Sequence, residues 1–180
     1  MYRPFLKDAF QLALHTGSRR EELMRIKWSM IKEDNKGNPL YIEVPNLKVE
    51  RSRQKLGKTK SVAPKIIPVT KGLLKILQQL GYKKKKNTDH YMILPDREDQ
   101  TIDWLVSILS RSFSHFSAQL DTQHHLQFKC LRKTYLSYLN KAMKNDTKSL
   151  SSHANQKVLD THYIDLKIIS KAVQDLQIFS

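Results

Sequence analysis

Cysteine is almost absent from this chain of 180 residues: Cys130 stands alone. An internal disulfide framework is therefore excluded, and the chain suits a reducing interior. No apolar run approaches the ~20 residues needed to span a bilayer. The opening Met1-Tyr2-Arg3-Pro4-Phe5 lacks the apolar core of a signal peptide. Both absences lead to the expectation of a soluble cytoplasmic protein with no membrane partner. Acidic residues are also scarce, with 17 Asp and Glu against 32 Lys and Arg, a formal charge of +15. Such an excess suits a polyanionic partner, because each neutralised phosphate releases a condensed counterion. By itself it equally suits a membrane surface or a ribosomal protein. No carboxylate cluster with metal-ligand spacing occurs, which argues against a metal-dependent nuclease. The pair His124-His125 has no second ligand pair to complete a zinc site. No internal repeat is visible, and the nearest approach to low complexity is the run Lys83-Lys84-Lys85-Lys86.

What is present is enough apolar material for one compact domain: 39% hydrophobic residues spread over the whole length. Residues 4–15 place Phe5, Ala9, Leu12 and Ala13 on one helical face. Thr16-Gly17 breaks the pattern, and Ser18 with Glu21 reads as a capping box for a second helix. That helix carries the stripe Leu23, Ile26 and Met30, with Arg19 in its first turn beside exposed amides. Asn35 to Pro39 is a turn by its chemistry, and residues 41–44 and 65–69 read as short strands. The basic stretch 48–60 between them reads as an extended hairpin or loop. Residues 71–80 form a helix closed by Gly81, the lysine run after it is a solvated loop, and 91–94 is a short buried strand. Ile102, Leu105, Val106, Leu109, Phe113 and Phe116 define the clearest amphipathic helix. Leu131, Tyr135, Tyr138, Leu139 and Ala142 define another, and 166–179 a final one. The expected fold is mainly α with a small antiparallel β-sheet, an α+β class.

Transferring a phosphodiester needs stabilised charge on the non-bridging oxygens, a nucleophile, and a proton for the leaving alkoxide. Arginine suits the first task, since its fork matches phosphate oxygens and stays charged. Arg19 and Arg132 both fall near expected helix starts, where amides can add to an anion clamp. Each residue alone has a blander reading. An isolated Arg132 is most often solvated, Tyr163 a packing tyrosine, and His153 a hydrogen-bonded structural histidine. Tyr135 and Tyr138 on their helix stripe, and Tyr41 and Tyr91 in strands, read as core.

Taken in order, three boxes change that weighting. Thr16-Gly17-Ser18-Arg19 is followed by Glu22; Lys129-Cys130-Leu131-Arg132-Lys133 comes next; His153 then precedes Tyr163. In these residues the chain resembles the tyrosine recombinase (phage integrase) family, over about residues 4–178. The family's first box is Thr-Gly-x-Arg with a following Glu, its second His-x-x-Arg-His/Lys, and its third a His nine or ten residues before a nucleophilic Tyr. It also places a catalytic lysine on a β-hairpin ahead of a Val/Ile-Pro step. Lys60 has that separation from Pro68, with Lys58 and Lys55 as competitors. Two departures stand out: Lys129 occupies the usual histidine position, and Ser152 replaces the glycine before His153.

The resemblance implies one catalytic domain over 1–180, with a core of about 4–165 and helix 166–179 docking on a neighbouring protomer. The family's N-terminal DNA-binding domain is not expected in this chain. It further implies that Tyr163 attacks the scissile phosphate to form a 3′-phosphotyrosyl bond. Arg19 and Arg132 hold the non-bridging oxygens with His153 and Lys129, Lys60 protonates the departing 5′-oxygen, and Glu22 orients the site. Arg20, Lys58 and Lys133 become candidates for DNA-backbone contacts. Neither metal nor ATP is implied, because the covalent link stores the phosphodiester energy. The partners implied are double-stranded DNA and, on DNA, a homotetramer, with the isolated domain monomeric. The expected role is site-specific recombination or integration for a mobile element, in the bacterial cytoplasm or nucleoid. A type IB topoisomerase-like nicking-closing enzyme and a catalytically silent DNA-binding integrase remnant are the alternatives.

Overall fold

The computed structural model describes residues 3–58, 62–97 and 100–142, the last three by backbone alone. The expected final helix at 166–179 lies outside the described residues. The described part is mainly helical with one small sheet. The first helix, α1 (Phe5–Thr16), buries Leu6, Ala9, Leu12 and Ala13, the stripe its apolar spacing dictates. Gly17 ends it at φ 58°, and its N–H returns to the Ala13 carbonyl at 2.9 Å. Glycine is required there twice over. The left-handed backbone disfavours a side chain, and an added Cβ would stand 2.2 Å from a ring carbon of Tyr135.

The second helix is shorter than its periodicity predicts: α2 covers only Arg20–Met24. Its N-cap is Arg19, not Ser18, and Glu22 rather than Glu21 reaches back, its carboxylate accepting the Arg19 N–H at 3.0 Å. Arg19 is thus extended, just outside the first turn. Ile26 is fully buried but lies beyond the helix. There the chain turns to let Met92 donate to the Ile26 carbonyl at 2.9 Å and Lys27 bridge to Tyr91. Pairing with the 91–92 segment therefore wins over continuing the helix. A 3-10 turn over Trp28–Met30 leads into the sheet.

Three antiparallel strands follow in the order β1 (Ile31–Glu33), β2 (Pro39–Val44) and β3 (Lys65–Pro68). Their register sets Ile31 opposite Ile42 and Ile42 opposite Ile67, joining three β-branched residues in the core. Asp34 closes the β1–β2 turn by accepting from the backbone of Lys36 and Asn38. Segment 91–94 is not the strand expected from its composition. It makes one isolated bridge, although Met92 and Ile93 are buried.

The basic stretch between β2 and β3 also differs from the expected loop. It forms a helix, α3 (Leu47–Lys55), with no buried residue. Lys, Arg, Glu and Gln are good helix formers, so propensity sustains it without an apolar stripe. Beyond β3 come α4 (Lys71–Gln79), the single turn α5 (Tyr82–Lys85) within the lysine run, α6 (Ile102–Ser117) and α7 (Lys129–Ala142). Thr70 and Thr101 cap α4 and α6 through their hydroxyls. α1 packs against α4 and α7, and α2 against α6. Leu12, Leu23, Trp28, Ile42, Ile67, Leu77, Leu105 and Leu109 form one continuous core. Phe10, Phe113 and Phe128 meet edge to face with centroids 5.5, 5.8 and 6.1 Å apart. That triangle holds the start of α7 against α1 and α6.

Candidate functional site

Both boxes that the described residues contain converge on Gly17. Its backbone conformation turns Ser18 and Arg19 away from α1, and its carbonyl accepts a hydrogen bond from the Arg132 guanidinium across 115 positions of sequence. Arg132 can reach it because α7 places Arg132 and Tyr135 on the same side of the helix, and the Tyr135 ring covers Gly17. Arg19, Arg20, Lys129 and Arg132 then line one cleft of about 470 Å³, together with Ser18, Ser110, Ser114, His125, Gln127 and Phe128.

Glu22 sits beneath the arginines and is 2% exposed. It accepts from Arg19 Nη1 at 2.6 Å as well as from the Arg19 backbone. Both ends of Arg19 are thereby fixed by one carboxylate. The ammonium of Lys65, at the first residue of β3, lies 3.8 Å from Glu22 and is also buried. Its Nζ is 3.5 and 3.4 Å from the carbonyls of Thr16 and Gly17. Burial acts to raise the Glu22 pKa, but Lys65, then the Arg19 N–H and guanidinium, outweigh it and hold the carboxyl below its ordinary value. Lys65 is lowered to about 7 by burial and by the two arginines, against the opposing pull of Glu22. Arg132 is likewise lowered, chiefly by burial and then by Arg19.

Chemically, the charge of this cleft suits an oxyanion. Arg19, Arg20, Arg132 and Lys129 line a space large enough for a phosphate ester, and charge-assisted hydrogen bonds to such oxygens are the strong kind. Glu22 and Lys65 do not line this cleft; Glu22 holds Arg19 in place, and Lys65 pairs with Glu22 behind it.

The expected site residues separate into three groups. Arg19, Arg20, Lys129 and Arg132 come together at the cleft, with Glu22 behind them. Lys58 and Lys133 are exposed and do not line it. Lys60, His153 and Tyr163, with Ser152, lie outside the described residues. Sequence reasoning missed Lys65, whose signal is a charged residue opening an otherwise apolar strand, Lys65-Ile66-Ile67-Pro68. It also passed over His125, four residues before Lys129, which lines the cleft. Among the tyrosines read as core, Tyr135 and Tyr41 are buried, but Tyr138 is 49% exposed. Tyr138 lies on the flank of α7, away from the side that Tyr135 and Leu139 bury. Tyr91 is only half-buried, with the Arg97 guanidinium 3.3 Å from its ring centroid.

Among the described residues no three His, Cys, Asp or Glu side chains gather as a metal site. No helix there is long and apolar enough to cross a membrane. Comparison with protein-family models, curated proteins and solved structures yields no match to this chain.

Proposed function

We propose that this chain is the catalytic domain of a DNA strand transferase of the tyrosine recombinase kind, acting in site-specific recombination or integration. The observation that carries the reading is the meeting of Arg19 and Arg132 in one cleft, from boxes far apart in sequence. A charge pair of this kind is what the non-bridging oxygens of a phosphodiester need in its transition state. Lys129 adds a third donor, and the buried Glu22 keeps Arg19 in position.

The remaining roles rest on the sequence resemblance. The Tyr163 phenol oxygen attacks phosphorus as its proton is released to solvent, the bond to the 5′-oxygen breaks, and that oxygen leaves as a hydroxyl after taking a proton from Lys60. His153 hydrogen-bonds a non-bridging oxygen. A 5′-hydroxyl from a second strand then attacks the phosphotyrosine, restoring the phenol and the phosphodiester. One phosphoester bond is exchanged for another in each step, so no energy source is consumed.

The test uses a pool of nicked suicide duplexes, randomised around the nick, incubated with the chain in EDTA. Wild type should yield an SDS-resistant, protease-sensitive covalent complex, and Tyr163→Phe should not. Trapping by Tyr163→Phe sinks the nucleophile assignment. If neither protein traps DNA while both bind it, the chain is a silent DNA-binding module.

A further inference from the structure

Arg19 lines two clefts, one on each side. The second, of about 420 Å³, runs between α2 and α3 and is lined by Arg19, Glu21, Glu22, Leu47, Lys48, Arg51, Ser52 and Lys55. The spacing of the α3 residues is what makes this more than a solvated basic helix. Lys48, Arg51, Ser52 and Lys55 recur at i, i+3, i+4 and i+7, a single stripe. Glu50, the only acidic residue of α3, lies about 200° round the helix from Lys48 at about 100° per residue.

Both carboxylates bordering this cleft are already neutralised. Glu21 takes Arg51 in a two-pronged contact at 2.6 and 2.5 Å and Arg25 at 3.2 Å. Glu22 is held by Arg19 and Lys65. The contact from Arg51 to Glu21 fastens α3 beside α2, and α3 buries nothing in the core. Lys48 and Lys55 stand one turn either side of that anchor, exposed and without an ion pair to any described residue. The charge left over in the cleft is therefore positive.

We propose that this α2–α3 cleft is a second phosphate-binding groove, continuous with the first through Arg19, which grips the DNA backbone beside the phosphate held by Arg19 and Arg132. The inference rests on the DNA strand-transferase reading and deepens it: the ligand is a run of phosphates and not a single phosphate ester. Seven residues of helix separate Lys48 from Lys55 by about 10 Å. One DNA strand carries a charge about every 3.4 Å of duplex axis, so the two ammonium groups meet different phosphates. Arg19 then occupies the junction, touching the held phosphate on one side and facing the flanking backbone on the other.

The test is the salt dependence of binding by the whole chain to a fluorescein-labelled 30-base-pair duplex, read by anisotropy. Each phosphate contact contributes about 0.9 to the slope of log K against log salt. Lys48→Gln/Lys55→Gln should lower the slope by about 2 with an unchanged melting temperature, since both side chains are exposed. Lys83→Gln/Lys84→Gln, on the remote α5 turn, should leave the slope as it is. An unchanged slope in the first variant overturns the proposal, and so does an equal loss in the second, which would spread the contact over the whole basic surface. If wild type shows no salt-dependent binding to the duplex, the DNA reading itself fails, and this proposal with it.

Discussion

The ammonium of Lys65 lies 3.8 Å from the Glu22 carboxylate, and the two side chains are 5% and 2% exposed. This ion pair is the foundation of the cleft. Glu22 grips Arg19 on its other side, and Lys65 shares the Gly17 carbonyl with Arg132. A buried pair of this kind adds little net stability by itself, but removing one partner strands the other's charge. Its contribution is to position, since it ties α1, α2, β3 and α7 to one point.

The titration of Lys65 should appear in the pH dependence of stability. Its folded pKa of about 7 lies below its ordinary value of 10.5. Between those values the unfolded chain binds the proton and the folded chain does not. Unfolding free energy therefore rises with pH across that window, by at most about 1.4 kcal/mol per unit. Below pH 7 both states are charged and the contribution is flat. Urea melts of wild type and Lys65→Met from pH 6 to 10 check this. The charged groups facing Lys65 are Glu22, Arg19 and Arg132. Parallel profiles for the two proteins would refute the assignment.

At pH 6, below the folded pKa of Lys65, Glu22→Gln should cost up to about 3–5 kcal/mol, because it leaves the Lys65 ammonium buried without its counter-charge. The double variant Glu22→Gln/Lys65→Met should be less destabilised than the two single changes added together, with a coupling above about 1 kcal/mol. Strict additivity in a denaturant cycle would mean that the pair does not interact in solution.

At Gly17 the backbone itself is the device. Gly17→Ala must accept a left-handed conformation and a methyl group inside the Tyr135 ring. The expected loss is at least about 2 kcal/mol. Gly17→Ala/Tyr135→Leu removes the ring and should recover part of that loss, while the conformational part remains. No recovery in thermal melts would show that the close approach of the ring is not the source of the strain.

Legibility in the sequence followed the strength of the local pattern. The apolar stripes of α1, α4, α6 and α7 are long enough for a 3.6-residue period to stand out, and these helices form as read. Strand β1 is three residues long, too short for an alternation to register. The α3 helix buries nothing, so periodicity offered no signal; its support is propensity and the Arg51–Glu21 contact made 30 positions away. Residues of the site were legible as types, since Arg19, Glu22, Lys129 and Arg132 follow from short boxes. How they meet was not. That depends on the Gly17 turn under Tyr135 and on Lys65 entering from β3, both contacts across long sequence separations.

On the proposed strand-transferase reading, Arg132→Lys should separate the positioning of DNA from its cleavage. Lysine keeps one positive charge at the cleft, so the salt slope of duplex binding should change by no more than about 1. A point charge on a flexible stem cannot bond the Gly17 carbonyl and clamp phosphate oxygens as a planar fork does. Losing one preorganised donor at a developing charge typically costs about 10² to 10³ in rate. The covalent complex with a nicked suicide duplex should therefore form about a hundredfold more slowly or worse, while anisotropy shows the DNA still bound. Cleavage at the wild-type rate would place Arg132 outside the reacting centre. A collapse of binding together with cleavage would make it an anchor for the backbone, leaving Arg19 and Lys129 to carry the charge of the transition state.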